Sequence, residues 1–127
     1  MRKALLVGID EYLKCPLHGC CNDAEAIKKL LSKNENNTPN FSVKMENNVK
    51  TKGRLKQLIK ECFAGDSDVA LFYYSGHGYV DSTGGYLVTP DYSEEDYGVS
   101  LQDVLAIANA SSCKDKIVVL DSCYSGT

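Results

Sequence analysis

Apolar residues follow two rhythms along this chain, short continuous runs and three-four spaced stripes, and the two alternate. Lys3-Ala-Leu-Leu-Val-Gly-Ile9 is almost unbroken, as a strand covered on both faces requires. Asn22 or Asp23 then offers a cap for a helix with Ala26, Ile27, Leu30 and Leu31 on one side, expected to fray by Asn34. Asn34 to Asn40 is polar and holds a proline, so it reads as a surface connection, and Phe41-Ser-Val-Lys-Met45 alternates as an edge strand does. Thr51 opens a second helix, in which Leu55, Leu58, Ile59, Cys62 and Phe63 share one face, and Gly65 stops it.

The third strand is expected over Asp68 to Tyr74, with Tyr73 and Tyr74 facing opposite layers. Ser82-Thr-Gly-Gly85, flanked by Tyr79-Val80 and Tyr86-Leu-Val88, predicts a small hairpin that Pro90 ends. Ser100 and Asp103 form a capping pair for a helix carrying Leu101, Val104, Leu105 and Ala108, and Lys116 to Leu120 is the last strand. The order implies an α/β fold, a three-layer α-β-α sandwich. Its sheet is mostly parallel, with strand order 2-1-3-4 and a small hairpin after the third strand.

A chain of 127 residues is long enough for one domain with one core. The net charge of −3 gives no electrostatic grip on phosphate backbones, which argues against a nucleic-acid partner. The opening Met1-Arg-Lys-Ala-Leu-Leu-Val-Gly8 is too short an apolar run for a signal peptide or a membrane span, so the expected location is cytoplasmic, with no membrane partner. On that footing the six cysteines read as free thiols rather than a disulfide framework. Cys62 fits the buried face of the second helix, and Cys113 falls in a connection.

The chemistry gathers where the apolar runs end. Ser75-Gly76-His77-Gly78 closes the third strand, Asp121-Ser122-Cys123-Tyr124-Ser125-Gly126 closes the last, and Cys20-Cys21-Asn22-Asp23 lies between the first strand and its helix. In open α/β sheets, reactive groups collect beyond the carboxyl ends of the strands, so these three segments share one rim. An imidazole and a thiol on neighbouring strand ends suit nucleophilic catalysis, with His77 assisting Cys123 and then protonating a leaving amine. Gly76 and Gly78 let the backbone turn sharply around His77, and the amides of Gly78 and Cys123 are natural donors to an oxyanion.

Several other patterns fall short. His18-Gly19 follows no apolar strand. Cys15, His18, Cys20 and Cys21 carry ligand atoms for zinc but no Cys-x-x-Cys pair and no distant second pair, so no metal site is assigned. Gly76-His-Gly78 lacks the spacing of a dinucleotide fingerprint.

With these residues in view, the chain resembles the caspase-like cysteine peptidases along essentially its whole length, and it is nearer to metacaspases and their bacterial relatives than to animal caspases. His77 and Cys123 stand 46 residues apart, close to the roughly 50 expected of caspases, with Asp-Ser-Cys-Tyr-Ser-Gly in place of the Gln-Ala-Cys signature. The resemblance implies a caspase-like catalytic domain over residues 1–127, the large-subunit portion, in which Cys123 is the nucleophile and His77 the general acid and base. It implies an acidic pocket for Arg or Lys before the scissile bond, built from Cys20, Asp23, Ser75 and Asp121. Two carboxylates converging on one rim favour a cationic guest on physical grounds as well.

The activity so implied is a cysteine endopeptidase that works through a thioester acyl-enzyme without a cofactor and takes protein or peptide substrates. The alternative is a non-catalytic signalling or scaffold module of the same fold. Calcium activation is not favoured, because Asp91, Glu94, Glu95 and Asp96 do not match the acidic cluster of calcium-activated metacaspases and read as a solvated loop. The family pattern also runs on past the nucleophile segment, so a small-subunit portion or a fused regulatory domain is an expected partner. Without it, an open sheet edge, exposed apolar surface and weak or absent activity are expected.

Overall fold

The computed structural model describes residues 1–36, 40–122 and 124–125. Its elements are β1 (Arg2–Gly8), α1 (Cys20–Ser32), β2 (Ser42–Asn47), α2 (Lys52–Phe63), β3 (Val69–Ser75), β4 (Gly78–Asp81), β5 (Gly84–Ser93), β6 (Asp96–Ser100), α3 (Leu101–Ala110), β7 (Asp115–Asp121) and β8 (Tyr124–Ser125). The main sheet is parallel, in the order β2-β1-β3-β7. This is the expected 2-1-3-4 with β7 as its fourth strand. A second sheet, β6-β5-β4-β8, carries the hairpin.

β1 is central because both its faces are apolar. Leu5 and Val7 pack toward α2 and α3, with Phe72 and Tyr74 of β3, while Ala4 and Leu6 pack toward Ala24 of α1, with Tyr73. Each fully buried leucine, valine or phenylalanine among them stabilises the fold by about 1.5–3 kcal/mol, which fixes the register of the strand that carries it. Tyr73 and Tyr74 accordingly face opposite layers. α2 presents Leu55, Leu58, Ile59, Cys62 and Phe63 to the core, and the Thr51 hydroxyl caps it by accepting from the Arg54 amide at 3.1 Å. Ser100 caps α3 the same way, accepting from the Asp103 amide at 3.0 Å.

Four local expectations are corrected. α1 begins at Cys20, with Gly19 at the cap position, so neither Asn22 nor Asp23 caps it. Its inward stripe is Ala24, Ile27 and Leu31, while Ala26 and Leu30 face outward. Leu105 of α3 is 53% exposed, and Ile107 packs against the core instead. Pro90 does not end the excursion: β5 runs through it to Ser93 and pairs with β6. The ladder is irregular between Val88 and Ser93, where a residue lacking an N–H is tolerated.

β7 differs from the inner strands. Val118 and Leu120 pack against the core, but Ile117 and Val119 are each 40% exposed. By register they lie on the face of Leu71 and Tyr73, beyond the strands that α1 covers. The β7 edge away from β3 has no partner strand among the described residues.

Candidate active site

The rim at the carboxyl ends of β1, β3 and β7 is assembled around one unanticipated residue, Asp10. Its carboxylate accepts from the backbone N–H groups of Cys20 at 2.8 Å and Cys21 at 3.1 Å, the first residues of α1. Partial burial opposes the charge, but these helix amides outweigh it and hold the carboxyl below its ordinary pKa. Asp10 thus supplies the cap that α1 does not find in its own sequence. The signal available was an Asp directly past a strand and ahead of a helix that starts on glycine. Gly8 permits the close approach, since a Cβ there would stand 2.5 Å from the Cys20 carbonyl oxygen.

Pinned in this way, α1 brings its first turn over the end of β3. The Tyr73 hydroxyl donates to the Asp121 carboxylate at 3.1 Å. The phenol's pKa is pushed up to about 12, first by burial and then by Asp121, with Asp23 adding and the Ser75 hydroxyl opposing. Burial also pushes the Cys20 thiol up, Ser75 works against this, and the charges of Asp10 and Asp23 add to it. Ser75 and Asp23 thus act on both Cys20 and Tyr73, and Asp121 acts on Tyr73. Among the described residues, neither Asp23 nor Asp121 has a Lys or Arg partner.

His77 lies past the end of β3, and two residues of the loop before α1 fix it. Its Nε2 is 2.7 Å from the Cys15 carbonyl oxygen, and its ring meets that of Tyr12 edge-on at 4.4 Å between centroids. A carbonyl only accepts, so Nε2 carries the proton and the neutral ring leaves Nδ1 as its basic atom. The His77 backbone N–H donates to the Tyr12 hydroxyl at 3.0 Å. The His77 carbonyl lies 2.8 Å from the Tyr74 hydroxyl and accepts from the Val88 amide at 3.0 Å. Burial pushes the Tyr12 pKa up to about 12, so this phenol stays protonated through neutral pH.

Gly76 is required by space. A Cβ there would lie 2.5 Å from the Tyr74 hydroxyl and 2.7 Å from that of Tyr12, whereas its φ is not positive. The turn at Gly76 is thus a matter of close approach to two phenols rather than of unusual backbone dihedrals, which corrects the expectation for that residue. Gly78 opens β4. It stands opposite Leu87 of β5, one residue on from the Val88 amide that donates to the His77 carbonyl.

Cys123 lies outside the described residues, so the sequence-predicted nucleophile has no geometry to set beside His77. The residues around it do. Ser75 pairs with Asp121 across β3 and β7, and Gly78 pairs with Tyr124 across β4 and β8, so the two segments of the chain run parallel at the same offset before and after His77. Among the described residues His18 makes no hydrogen bond to the rim, and it is exposed in the loop before α1. Burial pushes the Cys21 and Cys62 thiols up to about 11, so neither is poised as a nucleophile. Among the described residues, no group of three or more His, Cys, Asp or Glu side chains is arranged to hold a metal ion. Asp91 and Asp96 bind Lys52, through its backbone amide and its Nζ respectively.

Sequence reasoning missed Asp10, the Cys15 carbonyl and Tyr12. A backbone carbonyl has no residue signature, and the roles of the other two depend on contacts across a loop. The family model described as the caspase domain matches residues 1–127 of the chain. No curated protein matches it.

Proposed function

The chain belongs to the caspase-domain family of cysteine peptidases, and on that footing we propose that it is an endopeptidase of the metacaspase branch that cuts after Arg or Lys. Cys123 is its nucleophile and His77 its general base and acid. The observation that carries this reading is the matched register on either side of the dyad, Ser75 with Asp121 and Gly78 with Tyr124.

With Nε2 held by the Cys15 carbonyl, Nδ1 takes the proton of the Cys123 thiol as the sulfur attacks the scissile carbonyl carbon. The oxyanion faces the amides of Gly78 and Cys123. Its collapse breaks the C–N bond, Nδ1 returns the proton to the departing amine, and a thioester remains. Water activated by the same nitrogen then hydrolyses the thioester and frees the thiol. Cys15 supplies the orientation that a carboxylate gives in a triad, but through its backbone.

Substrate choice follows from the other side of the strand. Asp121 stands beside Ser75 and Asp23 acts on Cys20, neither carboxylate has a cationic partner among the described residues, and a guanidinium or ammonium placed there gains charge-assisted hydrogen bonds. The open β7 edge, with Ile117 and Val119 exposed, supports a further portion of polypeptide that pairs with β7 and completes the substrate cleft.

The test compares fluorogenic peptides ending in Arg, Lys or Asp, incubated with the chain alone and with its completing portion. Hydrolysis of the basic peptides only, stimulated by that portion, is expected. Equal turnover of Arg-ended and Asp-ended peptides would remove the assigned specificity.

A further inference from the structure

A second concavity shares the His77 imidazole as a wall, and the reaction above makes no use of it. It encloses about 260 Å³ between the loop before α1 and the hairpin sheet, lined by Tyr12, Cys15, Tyr79, Val88, Tyr92 and Tyr97 beside His77 and Gly78. We propose that this cavity receives the side chain of the residue that follows the scissile bond, and that it selects a large apolar or aromatic one. The inference rests on the peptidase reading.

Topology supplies the first part of the argument. Tyr73 and Ser75 turn toward α1 and the carboxylates, whereas Tyr12, Val88 and the partly buried Tyr79, Tyr92 and Tyr97 belong to the core on the opposite side of the main sheet. A peptide whose basic side chain sits by Asp23 and Asp121 presents its scissile bond at the imidazole between these two regions. His77 must reach the leaving nitrogen, and the next Cα is one bond of about 1.46 Å from that nitrogen. The side chain on that Cα therefore starts at the imidazole, where the cavity opens.

Chemistry supplies the second part. Four phenol rings and a valine line the space, and among the described residues no ionisable side chain borders it apart from His77, the phenols and the Cys15 thiol. Tyr79 and Tyr97 stack at 3.9 Å between centroids with 25° between their planes, which gives a flat wall already formed. Such a site gains from an aromatic or aliphatic guest and leaves a carboxylate or ammonium desolvated without a partner. Its volume falls below the roughly 300–1,000 Å³ of sites for drug-sized ligands and suits one side chain.

Two measurements on the full chain test this. In the first, the dipeptide amides Phe-Gly-NH2 and Gly-Gly-NH2, which mimic the departing product, are titrated while backbone amide resonances are followed. The Phe peptide should bind at least about tenfold more tightly, shifting His77, Tyr79, Tyr92 and Tyr97, as pocket discrimination of roughly 10–200-fold implies. In the second, quenched peptides differ only in Phe, Gly or Asp after Arg, and the Phe-to-Gly ratio of kcat/KM should be about ten or more. That ratio should fall toward one in Tyr92→Ala, with Tyr97→Ala as the second variant should the first not fold. Equal affinities, or shifts centred on another surface, would overturn the subsite. Equal turnover of the Phe and Gly peptides would overturn it while leaving the peptidase reading intact. Selective binding with no turnover of any Arg peptide even with the completing portion present would sink the peptidase reading, and the subsite with it.

Discussion

The two sides of the β3 end are built from the same residue type and reach opposite chemistry. Tyr73 directs its hydroxyl to the Asp121 carboxylate beneath α1, while Tyr74, the next residue, directs its hydroxyl to the His77 and Val88 carbonyls beneath the hairpin. One side gathers carboxylates that have no Lys or Arg partner among the described residues. The other gathers rings and neutral backbone groups that hold an imidazole in one orientation. The contrast shows how a strand's period of two separates recognition from proton transfer within a few residues, since alternate side chains are sent to opposite layers.

The contrast can be broken from either side. The largest effect is expected of His77→Ala, which removes the group between the two sides and should lower kcat/KM by about 10²–10⁴-fold with KM little changed. Asp121→Ala should act on recognition, raising KM for Arg-ended peptides by roughly ten- to a hundredfold, as loss of a charge-assisted hydrogen bond worth about 1.5–3 kcal/mol implies. Gly76→Ala drives a methyl group against the Tyr74 and Tyr12 hydroxyls and should cost about 1–3 kcal/mol in chemical denaturation. Asp10→Ala removes the remote cap of α1, for an expected loss of about 1 kcal/mol read the same way.

The smallest effect is spectroscopic. Tyr12 and Tyr73 lie on opposite sides, yet burial raises both phenols to about 12, so their share of the tyrosinate absorbance should appear well after that of an ordinary tyrosine near 10. Because the folded pKa values are the higher ones, the stability these phenols contribute is whole below pH 10 and is lost as pH rises from there through about 12. Coincident titration of all tyrosines near pH 10 would show that neither phenol is buried as described.

What could be read from the sequence was local. The apolar runs located the four main strands, and Thr51 and Ser100 announced their helices because the capped amide lies three residues on. The placing of Ser75 beside Asp121 also followed, since parallel strands put their carboxyl ends on one rim. Contacts that cross a loop were not legible. Asp10 caps a helix ten residues away, and the Cys15 carbonyl that orients His77 belongs to the backbone, where any residue would serve. Helix α1 misled because two apolar stripes compete on it, and only the sheet beneath decides that Ala24, Ile27 and Leu31 face in. The second hairpin stayed hidden behind Pro90, whose place depends on an irregularity in a ladder that does not exist until both strands form.

The central claim is that a thiol at position 123, the imidazole of His77 and the carboxylates of Asp23 and Asp121 serve one site. Labelling of the chain with an Arg-ended peptide electrophile, followed by mapping of the modified cysteine by mass spectrometry, tests it most directly. The expected result is modification at Cys123 alone, abolished in His77→Ala and weakened in Asp121→Ala. Labelling that falls on Cys15 or Cys20, or that proceeds unchanged without His77, would contradict it.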